Sequence, residues 1–394
     1  MALLKWPSWP NYGDEEEEAV LRVIRSGQLF AAGDKSGLFP AGEVSQFENE
    51  FSEYLGVKHS LGVGNATEGL HLVLAALGIG IGHEVIVTPY THISTASSIL
   101  MQNAVPIFAD CERETLALCS KSIEKNITEH TRAISVVSVF GYPANMNEIV
   151  RIAEKYDLDL IEDASHAHGG IFEGKRIGTF GRVAVFSLHQ AKAISSGDGG
   201  VISTNDSELA TKIYRLRSFG DAELSYNYRM TEFSAALARV GLTKLDSQND
   251  IRISNAEQLA TILSNSGQIL VRKPIENSKG VYHSVLMELT DCAKINLDEL
   301  IEKANARGLP LKRTWAPLHR HAHFNPIEAP ARGLPWCNPL YSGLYKDLSG
   351  YRTLKLPVIE NMCDHRLLEL LVNPPVGSIE IDQAGKIILD ILGE

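Results

Sequence analysis

The sequence predicts an α/β protein made of a large unit, with a mostly parallel central sheet flanked by helices, and a smaller α+β unit at the C-terminal end. Three observations predict it. The 394 residues exceed one ordinary core, so two units sharing a cleft are expected. From about residue 60 to 205, short β-branched runs alternate with helical patterns, the rhythm of a sheet whose parallel strands are joined by helices. From about residue 250 that alternation stops, and helix, strand and loop-rich stretches follow one another. Residues 1–248 are therefore read as the large unit and 249–394 as the small one.

The strand runs are Val85–Val87, Val105–Phe108, Ala133–Val137, Leu158–Ile161, Val183–Phe186 and Gly200–Ser203. Between them, Met146 to Tyr156 places apolar residues three and four apart, as a helix covering one sheet face does. Reactive groups in such a sheet are expected where strands end. In the small unit, Asn255–Ser264 reads as a helix, Val281–Leu286 as a strand and Leu297–Arg307 as a helix, with a loop-rich stretch before Ile379–Leu392.

Composition excludes several function classes. No apolar run approaches the ~20 residues of a membrane helix, and the first residues lack a basic region followed by an apolar stretch, so a cytoplasmic protein is expected. The five cysteines are scattered and never in CxxC spacing, which argues against a disulfide framework and a zinc knuckle. A net charge of -11 disfavours nucleic-acid binding and points to a small-molecule partner. Asn126-Ile127-Thr128 matches a glycosylation acceptor and Gly78-Ile79-Gly80-Ile81-Gly82 a glycine-rich turn, but the first lacks a secretion signal and the second precedes a strand instead of leading into a helix.

Three motifs carry chemistry. In Phe186–Gly200, Lys192 lies between an apolar strand and a glycine-rich return, where apolar neighbours lower an amine's pKa and favour imine formation with a carbonyl. Alone, such a lysine reads as solvated. The strand ending at Ile161 runs into Glu162-Asp163-Ala164-Ser165-His166-Ala167-His168-Gly169, and a carboxylate there is able to pair with a cofactor's pyridinium nitrogen; a capping aspartate is the bland alternative. Gly62–Leu72 carries a glycine turn into a helix, whose free N–H groups and dipole attract phosphate, with the Thr67 hydroxyl as a further donor. Together they are the minimum set for pyridoxal phosphate (PLP).

With these stretches, and with Tyr226-Asn227-Tyr228-Arg229-Met230-Thr231-Glu232, the sequence resembles the DegT/DnrJ/StrS family of PLP-dependent sugar aminotransferases, of the aspartate aminotransferase fold type I, over nearly its whole length. The resemblance implies that Lys192 is the Schiff-base lysine, that Asp163 holds the pyridine nitrogen and that His166 sits near the phenolic oxygen. It also implies that Ala66, Thr67 and Ser187 bind the phosphate, while Asn227 and Arg229 reach the phosphate of a second subunit, so that a homodimer completes each site. Where the family places Phe, Tyr or Trp against the ring, this sequence has His92, with Tyr90 as the alternative. Trp9-Pro10-Asn11-Tyr12 and Ser26-Gly27-Gln28 look like the branch acting on keto-cyclitols and aminoshikimate-type compounds.

In Lys312–Phe324, the resemblance implies a substrate-lining segment, and Lys312, Arg313, His319 and Arg320 are expected to hold an anionic group, which tilts the reading toward a carboxylated acceptor of the 8-amino Kdo type. A solvated basic patch is the alternative. His319, His321 and His323 alternate as strand ligands would, but Pro317 and the lack of a nearby carboxylate or cysteine argue against a metal. The expected activity is amino transfer from glutamate or glutamine to a keto or aldehydo sugar. The rivals are a sugar dehydratase of the same fold, whose members replace the lysine with histidine and for which His189 is the nearby histidine, and a noncatalytic sugar sensor.

Overall fold

A computed structural model describes residues 3–29, 42–218, 224–325, 334–343, 346 and 350–393. Seven strands form the central sheet: β1 (His59–Val63), β2 (Glu84–Val87), β3 (Val105–Phe108), β4 (Thr131–Val137), β5 (Asp159–Asp163), β6 (Val183–Ser187) and β7 (Gly200–Thr204). Their order is β1-β7-β6-β5-β4-β2-β3. β7 is antiparallel to both its neighbours and every other pairing is parallel. Every residue of β2, β3, β6 and β7 is buried. Helices cover both faces of such a sheet, which is why its strands read as unbroken apolar runs instead of alternating ones.

The six expected runs appear as β2 to β7. β1 was not among them: it begins with His59 and Ser60, contains Gly62 and stands at the sheet edge beside β7, so its apolar signal is weak. It leads directly into the helix Ala66–Ala76, whose N-cap Asn65 accepts the Glu68 N–H at 2.9 Å. A Cβ on Gly200 would lie 2.8 Å from the Ala66 nitrogen, so only glycine lets β7 pass the start of this helix. Gly200→Ala should cost about 1–3 kcal/mol of stability, from the backbone shift that overpacking forces, read as a lower midpoint in denaturant unfolding.

The helix Glu232–Leu263 is 32 residues long and carries the chain through the expected boundary at 248/249, so the change of pattern there falls within a helix and not at a linker. Beyond it, β8 (Ile269–Val271), β9 (Val285–Leu289), β10 (Lys312–Arg313) and β11 (Leu367–Leu370) make an antiparallel sheet in the order β8-β9-β11-β10. The helices Leu297–Asn305 and Ser378–Leu392 belong to the same region. The strand expected over 281–286 instead starts at Val285. Ahead of it, the Val281 N–H bonds the Gly141 carbonyl at 2.9 Å and Tyr282 takes a φ of 46°, which breaks the extended backbone. Part of the loop-rich stretch (326–333, 344–345, 347–349) lies outside the described residues. Among the described residues no helix is long and apolar enough to cross a membrane.

Candidate active site

The segments leaving β1, β2, β5 and β6 at their carboxyl ends surround one cavity of about 710 Å³. This is where an open α/β sheet leaves room between diverging connections. Ala66, Thr67, His92, Asp163, His166, Ser187 and Lys192 all line it.

Lys192 sits on the turn between β6 and β7. Its N–H bonds the His189 carbonyl at 2.8 Å, and the Trp9 indole N–H donates to its carbonyl at 3.1 Å. Tyr12 lies 2.8 Å from the Ser195 hydroxyl on the same turn, so the N-terminal segment straps it down. Burial pushes the ε-amine down to about 8, against the opposing pull of Asp163 and then Glu369. In the cofactor-free protein, site-resolved labelling of Lys192 by an amine-directed reagent should therefore reach half its maximal rate near pH 8, because above that pH the amine is neutral.

Asp163 closes β5 and is 4% exposed. The Thr95 hydroxyl donates to its Oδ2 at 2.7 Å and the Ser165 N–H to its Oδ1 at 3.2 Å, which fixes the carboxylate plane. The His166 ring runs nearly parallel to His283 at 4.7 Å and 4° and to Phe140 at 5.7 Å and 13°, and those two rings are themselves 6.4 Å apart. His166 Nδ1 accepts the Phe140 N–H at 3.3 Å, which puts the ring proton on Nε2, and that buried Nε2 has no partner among the described residues. Burial, with Lys192 next in importance, drives the His166 pKa well below the ordinary range, so the ring is a neutral donor.

At the other end, the N–H groups of Ala66 and Thr67 open their helix and make no hydrogen bond among the described residues. Ser187 ends β6 beside them. The Thr67 hydroxyl donates to Ser94 Oγ at 2.8 Å, and Ser94 Oγ lies 2.9 Å from His92 Nδ1, so a hydroxyl relay orients the His92 ring. His92 lines the cavity, whereas Tyr90 is completely buried and is not part of its wall.

These groups fit pyridoxal phosphate. An unpartnered buried Nε2–H suits a phenolic oxygen, a fixed buried carboxylate suits a protonated ring nitrogen, free helix-start N–H groups suit a phosphate, and an amine of lowered pKa suits an aldehyde.

Other expected residues lie elsewhere. Asn227 and Arg229 flank Tyr228, which does line the cavity, and are tied to each other by Arg229 Nη2 donating to Asn227 Oδ1 at 2.9 Å. The expected anion-binding cluster is not assembled in the cavity. Arg313 pairs with Asp298 at 2.6 Å, Arg320 with Asp364 at 2.8 Å, and His319 Nε2 with Glu360 at 2.9 Å, so each already has a carboxylate partner in the same chain. Lys312 lines a neighbouring cavity of about 240 Å³, together with Trp6, Trp9, Glu369 and Asn373. His321 and His323 bond each other at 2.9 Å, and among the described residues no three His, Cys, Asp or Glu side chains converge as a metal site.

Several cavity residues were not singled out from the sequence: Thr95, His283, Trp315, Glu68, Asp198 and Tyr228. Thr95 stands in the same Thr91–Ala96 stretch as His92, a usable signal. His283 and Trp315 come from the small unit and carry no local mark.

Comparison with known proteins agrees with this geometry. The model of the DegT/DnrJ/EryC1/StrS aminotransferase family matches residues 10–367. The chain is 33% identical over 344 residues to the L-glutamine:2-deoxy-scyllo-inosose aminotransferase of Streptomyces kanamyceticus, covering 82% of this chain and 80% of that one. It is 38% identical over 375 residues to the GDP-perosamine synthase of Escherichia coli O157:H7, covering 91% and 94%. Among solved structures, an aminotransferase from Psychrobacter cryohalolentis superposes with a TM-score of 0.87 at 27% identity, covering 98% of this chain and 99% of that one. DesV of S. venezuelae gives 0.83 at 28%, covering 96% and 95%.

Proposed function

The chain belongs to the DegT/DnrJ/EryC1/StrS aminotransferase family, whose enzymes depend on pyridoxal phosphate, and on that premise we propose that it moves the α-amino group of glutamine or glutamate onto the ketone of an uncharged, hydroxyl-rich ring, a keto-cyclitol or keto-sugar. The observation that carries this reading is the convergence of the Lys192 amine, the Asp163 carboxylate and the unpartnered His166 N–H on one cavity. The cofactor, when bound, supplies an electron sink for the bond broken at the reacting carbon. The chain supplies the rest. Ala66, Thr67 and Ser187 would anchor the phosphate, Asp163 would pair with the pyridine nitrogen, His166 Nε2–H would donate to the phenolic oxygen, and His92 would stack on the ring. Lys192, whose amine burial holds down to about 8, would take the proton from the donor's α-carbon and, in the second half of the reaction, deliver a proton to the carbon that was the acceptor's ketone.

The reacting ring of the acceptor is read as uncharged because Arg313, His319 and Arg320 already pair with Asp298, Glu360 and Asp364, which weakens the support for a carboxylate on that ring. Asn227 and Arg229, outside their own chain's cavity wall, are read as completing the phosphate site of a second copy in a homodimer.

The test incubates holoenzyme with glutamine or glutamate labelled with ¹⁵N at the α-position and three acceptors: a keto-cyclitol, a nucleotide-linked keto-hexose and a carboxylated keto-sugar. Label should appear in a product from one of the first two. Label only in the carboxylated product overturns the acceptor class. Loss of water from the sugar with no label gained overturns the aminotransferase reading in favour of a lyase.

A further inference from the structure

Arg252 lies within the helix Glu232–Leu263, is 0% exposed, and meets no carboxylate within ion-pair distance among the described residues. Its Nε donates to Asn373 Oδ1 at 2.6 Å and its Nη1 to Asn249 Oδ1 at 2.9 Å, while the buried Nη2 has no partner. Both acceptors are neutral amides. Burial alone pushes the guanidinium down to about 9. A buried cation without a counter-ion is costly, and two hydrogen bonds to neutral amides offset only part of that cost. Packing therefore does not account for an arginine at this position.

From there the guanidinium is linked, through Trp9 and Asn249, to the two segments that carry Lys192 and Asp163 into the cavity wall. Its carbon lies 5.1 Å from the centre of the Trp9 ring, and Trp9 is the residue whose indole N–H holds the Lys192 carbonyl. On the other side, Asn249 donates through Nδ2 to the His168 carbonyl at 2.9 Å, on the segment that starts at Asp163. Gly169 permits that approach: its φ is +81°, and a Cβ there would lie 2.8 Å from Asn249 Nδ2. Asn373, the third partner, follows β11 and lines the neighbouring cavity together with Trp9 and Ala191. A planar guanidinium is suited to this place because it bonds two amides and lies against an indole at the same time, which an ammonium does not do.

We propose that Arg252 is a positioning residue for the amino-transfer reaction: through Trp9 it holds the backbone of Lys192, and through Asn249 it holds the Asp163–His168 segment, so that amine and carboxylate keep a fixed mutual placement. The inference rests on Lys192 being the reacting amine. Arg252 touches neither substrate nor cofactor.

The test uses Arg252→Met, Trp9→Phe and the double variant, with two readouts. For Arg252→Met, kcat should fall about 10- to 100-fold with KM changed less than about twofold, the pattern of a misplaced reacting group. In the cofactor-free protein, the pH midpoint for labelling Lys192 should move up from about 8, because a loosened turn lets water reach the amine. Trp9→Phe keeps a ring and loses the N–H, and should shift both readouts in the same directions. The double variant should lose no more than Arg252→Met alone, since the two act along one path. Unchanged kcat and midpoint in Arg252→Met, full additivity in the double variant, or a kcat loss matched by a lower folded fraction with the midpoint still near 8, each overturns the proposal. Should Arg252→Met fail to fold, Trp9→Phe decides alone, and an unmoved midpoint there overturns it. A wrong assignment of Lys192 shows itself separately, as turnover that survives Lys192→Ala.

Discussion

Lys192→Ala should lower turnover by at least about 10⁴-fold, the scale of removing a proton-transfer group that is also the nucleophile, while thermal unfolding stays close to that of the parent protein. Lys192 is the only lysine on the cavity wall among the described residues, so no neighbouring amine replaces it. The fold should survive because the turn is held by main-chain bonds and by Trp9 through the Lys192 carbonyl, none of which needs the side chain. Removing the amine also removes a group whose ammonium form burial opposes, so any small change in stability at neutral pH should be favourable. Turnover is measured with ¹⁵N donor and ketone, folding by circular dichroism and melting. A variant that still transfers nitrogen removes this residue from the reaction. One that eliminates water from the sugar instead moves the chain to the lyase reading, with His189 as the group to examine next.

The parts of the site that sequence revealed share one property: each stands at the end of a strand or the start of a helix, within a run whose pattern is local. Asp163 closes β5, Ser187 closes β6, Thr67 opens a helix, and Lys192 lies between β6 and β7. Parallel strands buried on both faces leave apolar runs that are hard to mistake. What sequence did not reveal depends on pairs far apart in the chain. Trp9 and Lys192 are 183 positions apart, and Arg252 and Asn373 are 121 apart. His283 reads as part of a strand because its neighbours are β-branched and aromatic, yet Tyr282 breaks the extension so that His283 can stack on His166. Arg320 misled for the same reason in reverse. A charge is visible in sequence, but its neutralising Asp364, 44 positions away, is not.

Asp163→Asn should lower kcat about 10²- to 10³-fold, the cost of removing one preorganised electrostatic partner, without unfolding the protein. Asparagine has the shape of aspartate, so one amide oxygen still accepts the Ser165 N–H, and the Thr95 hydroxyl can turn to accept from the new amide nitrogen, with Thr91 at 3.1 Å as its other neighbour. The charge is what disappears. With it goes the group that keeps a pyridine nitrogen protonated, and also the strongest force favouring the ammonium form of Lys192. The labelling midpoint of Lys192 in the cofactor-free variant should therefore fall below about 8. That direction is opposite to the one expected when the lysine turn is loosened by Arg252→Met, so the pair of variants separates a lost charge from a lost constraint. An unchanged midpoint together with near-parental kcat would show that the carboxylate exerts no influence on the cavity, and the assignment of Asp163 would fall.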